Sequence, residues 1–427
     1  MEIADLYQLF INSNGIATDT RKIHEGAIFF ALKGDNFNGN QFALKALEKG
    51  AKYAVIDEPL VEKNDRIILV DNALQTLQAL ANYHRRTFEI PFIAITGSNG
   101  KTTTKELVNA VLQKKYITYA TLGNLNNHIG IPLTLLSIKK EVQIAIIEMG
   151  ANHQKEIEGY CKYVEPNYGL ITNIGKAHLE GFGGIEGVKK GKGELYDYLR
   201  ANHGQIFLCT TNDTLVAMAN IKNPITYPSL GDYYTCSFVD ADPFIRFLSS
   251  NGKAISTQLT GKYNFDNIAV ALCIGKYFGV SEEDALQAIA TYNPQNNRSQ
   301  LTKTDKNELI IDCYNANPTS MKAAIESFAQ TQAKNKVLIL GDMYELGEDE
   351  ALEHEGIGNL ILTLSFQQAL LCGKAMKSAF DVAPEKFLYF QDRNLLIEWI
   401  KSNPFQGATL LIKGSRGMAL EKVIEYL

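Results

Sequence analysis

The sequence lacks most of what finger-type, secreted or membrane proteins are built from. Its six cysteines (Cys161, Cys209, Cys236, Cys273, Cys313 and Cys372) are scattered, with no CxxC pair. That spacing gives no structural zinc site and no disulfide framework. Several sit in apolar runs such as IFLCT and QQALLCG, where a thiol packs as a small buried hydrophobe. No apolar run reaches the length of a membrane span, so a chain that does not insert into membranes is expected. The opening MEIADLYQLF has no basic stretch before an apolar core, unlike a secretory signal. A reduced, cytoplasmic protein fits these absences. Positive charge is not in excess either. The net charge of −5 argues against a general nucleic-acid binder and leaves room only for local basic pockets. There is no internal repeat and no low-complexity tract.

What is present is a long chain of alternating units. At 427 residues it exceeds one ordinary core, so two to four domains are expected. Short β-rich apolar runs alternate with helical patterns, the mark of βα units on a parallel sheet. Strands are predicted at PFIAITG, YITYAT, QIAIIEMG, YGLITNIG and QIFLCT, and later at ELIIDCY, KVLILGDM, QALLCGK and ATLLIKGS. Pro91 and the polar stretch NPQNNRSQ (293–300) punctuate the chain. The resulting division is 1–88, a smaller mixed α/β unit; 89–298, a parallel-sheet unit; and 299–427, a further α/β unit.

The segment FIAITGSNGKTTTKE (92–106) looks like a phosphate-binding loop but breaks the general pattern. The leading glycine of a Walker loop would fall at position 95, which is Ile95; the glycine is at Gly97. Gly97, Ser98, Asn99 and Gly100 still form a strand-to-helix turn. Backbone amides there favour an anion. Lys101 is placed to reach β- and γ-phosphate oxygens, and the Thr102 hydroxyl to ligate Mg²⁺. A tight turn would explain a lone Gly-Lys pair, but the strand–turn–helix context favours a nucleotide. Glu148, ending a buried strand, is costly unless it meets a cation; a capping carboxylate is the plainer reading of that residue alone. His178 follows another strand end in a glycine-rich loop, on the side where open α/β sheets bind ligands. The lysines of EGVKKGKGEL read as a solvated face, with nothing to separate Lys189, Lys190 and Lys192.

Together these segments resemble the ATP-dependent Mur ligase superfamily, whose loop has the form TGSxGKT. GNLNNHIGIPLTLL, EMGANHQKEI, TNIGKAHLEGFGG, KGEL, GKYNFDNIAVA, DCYNANPTSM, LGDMYELG and KGSRGMALE follow in the family's order. ATDTRKIHEGAIFFALKGDNF resembles the family's UDP-sugar segment. The resemblance therefore covers essentially the whole chain. It implies a monomeric three-domain α/β enzyme, with an N-terminal UDP-sugar domain, a central P-loop-type parallel-sheet ATPase domain and a C-terminal Rossmann-like ligase domain. DCYNANPTSM, with no DNPR motif, points within the superfamily to joining D-alanyl-D-alanine to UDP-N-acetylmuramoyl-tripeptide. The implied roles follow residue by residue. Gly97 to Thr103 (Gly97, Ser98, Asn99, Gly100, Lys101, Thr102, Thr103) hold ATP, with Asn267 at the adenine, Arg298 at the phosphates and Asp312 at the ribose. Thr102 and Glu148 ligate one Mg²⁺, and His178 helps ligate a second. Lys192 is carried as a carbamate, a metal-ligand-like group; Lys101, Lys192, His178 and Glu148 thus form the catalytic set. Asp19, Thr20, Arg21, Lys33 and Gly34 lie near the UDP-sugar, and Asn126 and Asn127 near its peptide end. Asn315, Asn317, Ser415 and Arg416 are candidates for the dipeptide side.

The chain departs from the family pattern at Thr20, Tyr263, Asn297 and Ile311, and at Gly191, expected to loosen the turn before Lys192. None removes a charged catalytic group. The alternatives are a superfamily ligase that adds a single amino acid and a non-catalytic nucleotide switch. The second has no use for Glu148, His178 and the Lys192 segment beside a UDP-sugar unit.

Overall fold

The computed structural model describes residues 1–34, 36–59, 64–294 and 298–427. Asn297 and part of the 293–300 stretch lie outside them. The β-branched runs of the middle of the chain form one parallel sheet. Its strand order is Ile225–Tyr227, Gln205–Cys209, Tyr168–Ile171, Phe92–Thr96, Ile144–Glu148, Thr118–Ala120. Phe92–Thr96 and Ile144–Glu148 are buried at every position, as strands covered on both faces must be. Register then decides where the chemistry lies. Ile95 pairs with Glu148, and Ile171 with Thr96, so three strands end side by side around residue 97.

The helix Lys101–Leu112 buries Leu107, Val108, Val111 and Leu112 along one stripe against Phe265–Tyr277. The latter is apolar along most of its length and buried at every position from Asn267 to Gly275. Toward the N-terminus, Ile16–Ala17, Ile28–Phe30, Tyr53–Ile56 and Ile67–Leu69 make a four-stranded parallel sheet. The helix Ala73–Arg85 ties it to the central unit: Arg85 donates to Val164 O at 2.7 Å and Glu165 O at 2.9 Å, and stacks 3.8 Å from the Phe92 ring.

The C-terminal sheet runs Gln300–Lys303, Glu308–Asp312, Thr409–Lys413, Lys336–Gly341, Gln368–Cys372, Leu388–Phe390, with only its first strand antiparallel. All strands predicted from residue 92 onward are present. A three-stranded antiparallel sheet, Ser237–Ala241, Phe244–Leu248 and Ala254–Thr260, was not expected. Its strands bury one face only, and AISTQLT hides that alternation among Ser, Thr and Gln. The expectation for Gly191 is also corrected. It lies inside the helix Ile185–Ala201, not in a turn, and a Cβ there would meet the Phe182 ring at 2.4 Å. The missing side chain makes room for Phe182, and that ring lies 4.9 Å from Lys192 Nζ.

Candidate active site

The loop after Phe92–Thr96 is built almost entirely from its own backbone and the neighbouring strand end. Ser98 N donates to Asn173 O at 2.9 Å, and Asn99 N to Asn173 Oδ1 at 3.1 Å. Thr172 Oγ1 in turn donates to Asn99 O at 2.6 Å. Gly97 (φ +142°) has no room for a Cβ, which would sit 2.0 Å from Thr172 Oγ1. Gly100 (φ +79°) starts the helix against the Asn267 carboxamide. Lys101 folds back over this turn, donating to Gly97 O at 2.8 Å. Burial pushes its ammonium below the usual lysine range, with Glu148 pulling it back up and Arg298 adding to the fall.

Loop and helix wall a cavity of about 390 Å³ between the central and C-terminal units. On one side lies Glu148, 1% exposed. Its Oε1 accepts from Thr102 Oγ1 at 3.1 Å and Asn126 Nδ2 at 2.7 Å, while Oε2 is buried with no partner among the described residues. A carboxylate oxygen in that state costs on the order of 1–3 kcal/mol or more, and a cation would satisfy it. Arg298 also lines the cavity, stacked 3.5 Å over the Tyr314 ring, its buried Nε likewise unpartnered among the described residues. An orphaned anion and an orphaned cation facing one cavity suit a metal ion and a phosphate. Among the described residues no three His, Cys, Asp or Glu side chains converge as a ready-made metal cluster. A cation at Glu148 would therefore draw on Thr102, Glu148 and oxygen atoms of its ligand.

Lys192 is fully buried beside this wall and donates to Ala151 O at 2.9 Å. Burial holds its amine well below the lysine range, and nearby Lys101 adds to the effect. From the same helical turn, Glu194 accepts from Lys155 N at 2.6 Å and Glu158 N at 2.9 Å. The KGEL segment thus grips the loop after Glu148 at both ends.

The structure gathers most of the sequence-predicted residues here. Ser98 to Thr103, Asn126, Asn127, Glu148, His178, Asn267, Arg298, Asp312, Asn315 and Asn317 all line the cavity. Asn267 is engaged at the loop, its Oδ1 accepting from Thr104 Oγ1 at 2.9 Å and its Nδ2 donating to Asn264 Oδ1 at 2.9 Å. Asn317 reaches across from the C-terminal unit, donating to Asn99 Oδ1 at 2.7 Å while its own Oδ1 caps the helix Pro318–Gln330. Ser415 and Arg416 are not among the lining residues. Ser415 Oγ accepts from Tyr344 N at 3.0 Å, and the Arg416 guanidinium lies 5.7 Å from the Tyr314 ring. The N-terminal candidates also lie off this cavity. Arg21 pairs with Asp19 at 2.7 Å, holding that carboxyl down to about 2; Lys49 Nζ donates to Thr20 O at 2.9 Å. Lys33, next to Gly34, pairs with Asp57 and Glu58 at 2.9 Å each.

Of the lining residues that escaped the sequence reading, Lys413 and Tyr314 matter most to the charge in the cavity. Lys413, 1% exposed, donates to Asp312 Oδ2 at 2.5 Å. The signal was available, since ELIID and TLLIK end on opposite charges in paired register, Asp312 against Lys413. Tyr314, the platform for Arg298, had none, because a tyrosine after a strand reads as packing.

The chain belongs to the Mur ligase family. Three family models match it: the Mur ligase family, catalytic domain over residues 12–85, the Mur ligase middle domain over 95–275, and the Mur ligase, glutamate ligase domain over 297–416. More particularly, it is 34% identical to the UDP-N-acetylmuramoyl-tripeptide–D-alanyl-D-alanine ligase of Bacillus subtilis, over 97% of this chain and 93% of that protein. Among solved structures it is similar to MurF from Acinetobacter baumannii (TM-score 0.89, 29% identity, 99% and 97% of the two chains covered). It also resembles MurF from Thermotoga maritima in complex with ADP (TM-score 0.86, 25% identity, 98% and 97% covered).

Proposed function

We infer that this chain is an ATP-dependent ligase that joins D-alanyl-D-alanine to UDP-N-acetylmuramoyl-tripeptide, a step of peptidoglycan precursor synthesis. The observation that carries the reading is the cavity itself. Lys101, Arg298 and Lys413 line one cavity together with a strand-to-helix loop and a buried carboxylate that lacks a partner on one oxygen among the described residues. Such a site neutralises the charge that gathers when a carboxylate meets a triphosphate. Similarity to a UDP-N-acetylmuramoyl-tripeptide–D-alanyl-D-alanine ligase over 97% of the chain supports the particular substrates.

A carboxylate does not acylate an amine at neutral pH, because oxide is a poor leaving group. In the proposed reaction the peptide's terminal carboxylate oxygen attacks the γ-phosphorus, ADP leaves, and an acyl phosphate forms. The dipeptide's amine then adds to the carbonyl carbon. The tetrahedral intermediate collapses by expelling phosphate and the amine proton is lost. The loop amides of 97–100 and Lys101 would hold the phosphates, and Arg298 the transferring group, with Tyr314 fixing its plane. Asp312, held by Lys413, is suited to accept from ribose hydroxyls, and Asn267 abuts the loop on the nucleotide side. Bringing two reactants together in a closed cavity is the larger part of such catalysis.

Thr102 and Glu148 would hold one Mg²⁺, and His178 with carbamylated Lys192 a second; when bound, these ions supply charge neutralisation at the phosphates. A depressed amine such as that of Lys192 stays neutral more readily, and only a neutral amine takes up CO₂. Asp19, Thr20, Arg21, Lys33 and Gly34 would serve the UDP-sugar, Asn126 and Asn127 the peptide, and Asn315, Asn317, Ser415 and Arg416 the dipeptide side. Three domains (1–88, 89–298 and 299–427), a monomer and a cytoplasmic setting complete the proposal.

Isotope transfer tests the route. With both oxygens of the tripeptide carboxylate labelled with ¹⁸O, one label is expected in the released phosphate and one in the new amide. Phosphate free of label would exclude the acyl phosphate. Replacing Lys192 by Ala should remove most activity, with partial return on adding a short carboxylic acid.

A further inference from the structure

We propose that Glu345 is a positioning residue for His178: the C-terminal unit supplies a carboxylate to ring Nδ1, leaving Nε2 free for the cavity. The inference rests on the reading of His178 as a cation ligand. The segment LGDMYELG had no role in the site, yet it carries Glu345 across the domain boundary to bond His178 Nδ1. His178 lines the cavity. Both partners hold left-handed backbone, φ +54° at His178 and +63° at Glu345. For side chains of this kind that conformation is uncommon, and it persists where the surroundings over-determine it.

The loop that carries Glu345 is itself pinned. Met343 N donates to Nε2 of the fully buried His354 at 3.0 Å, so Nδ1 of that ring carries the proton and donates to Glu350 O at 2.7 Å. Leu346, 2% exposed, anchors the other side. The arrangement is what a metal-binding histidine needs, since its second ring nitrogen usually donates to a carboxylate that fixes tautomer and ring plane. Because the carboxylate belongs to the C-terminal unit, docking of that unit completes the second cation site. Lys176 marks the same interface without touching the ring. Its amine pairs with Glu353 at 2.5 Å and its backbone N donates to Thr319 Oγ1 at 2.9 Å.

The test is Mn²⁺ titration of the full chain with a non-hydrolysable ATP analogue, read by electron paramagnetic resonance. Glu345→Ala should weaken the second Mn²⁺ by about 10- to 100-fold and leave the first unchanged. Glu345→Gln, which keeps the shape and one acceptor oxygen, should fall between. Lys176→Ala should leave both ions as they are. If Glu345→Ala leaves the second Mn²⁺ unchanged while His178→Ala weakens it, the positioning role is wrong and the ligand reading stands. If His178→Ala weakens neither ion, the ligand reading falls and the inference with it. An equal loss in Lys176→Ala would assign the effect to loosened docking and overturn the role of Glu345.

Discussion

Gly100 begins its helix at φ +79°, with the Asn267 carboxamide 2.8 Å from where a Cβ would stand. An L-residue pays about 1–2 kcal/mol for that conformation alone. Gly100→Ala should therefore weaken ATP binding by roughly tenfold or more, measurable by calorimetric titration. Ile95, in place of the Walker glycine, is simply a fully buried strand residue; the turn begins two residues later, at Gly97. Lys413 offers a different test. Removing its amine strands the Asp312 carboxylate, whose side chain is 15% exposed. Lys413→Ala should cost about 3 kcal/mol in urea unfolding, the lower end for a broken buried pair. Lys413→Met with Asp312→Asn should recover most of that stability but not nucleotide affinity. The loop residues were legible because a Gly-Lys-Thr turn is a local pattern. Lys413 and Glu345 act through partners 101 and 167 residues away, a distance no local pattern spans.

The helix Pro318–Gln330 shows how one element serves two ends. Asn317 caps it in a reciprocal box with Ser320 and donates its amide to Asn99 of the phosphate loop. Asp caps as well as Asn but cannot make that donation. Asn317→Asp should keep the melting temperature within a degree or two and raise the KM for ATP. Asn317→Ala should lose about 1 kcal/mol of stability as well. Equal KM values in wild type and Asn317→Asp would show the contact to be idle. The buried strands were readable because wholly apolar runs between helical patterns allow little else. The Ser237–Thr260 sheet was not, its strands being short, one-sided and rich in polar residues. Gly191 shows the limit of reading by position: its role is to leave room for a ring nine residues earlier.

Across the whole molecule, burial sets the response to alkali. Burial pushes the Cys209 thiol up to about 11, and those of Cys236, Cys313 and Cys372 to about 12. Groups whose folded pKa is raised stabilise the fold fully below their ordinary pKa, near 9, and lose that contribution as pH rises toward the folded value. The urea midpoint should fall between pH 8 and pH 10.5, and native thiols should resist alkylation at pH 8. The cavity lies between units, with Asn99–Asn317, His178–Glu345 and Lys176–Glu353 crossing the boundary. ATP analogue plus UDP-peptide should therefore change the dimensions seen by small-angle scattering. The central claim is ligation of a dipeptide to a UDP-sugar peptide at the expense of ATP. Its most direct test is phosphate release from ATP by the purified chain, with each substrate omitted in turn. Release should require UDP-N-acetylmuramoyl-tripeptide and D-alanyl-D-alanine together. Release with a single amino acid in place of the dipeptide, or with ATP alone at the same rate, would contradict it.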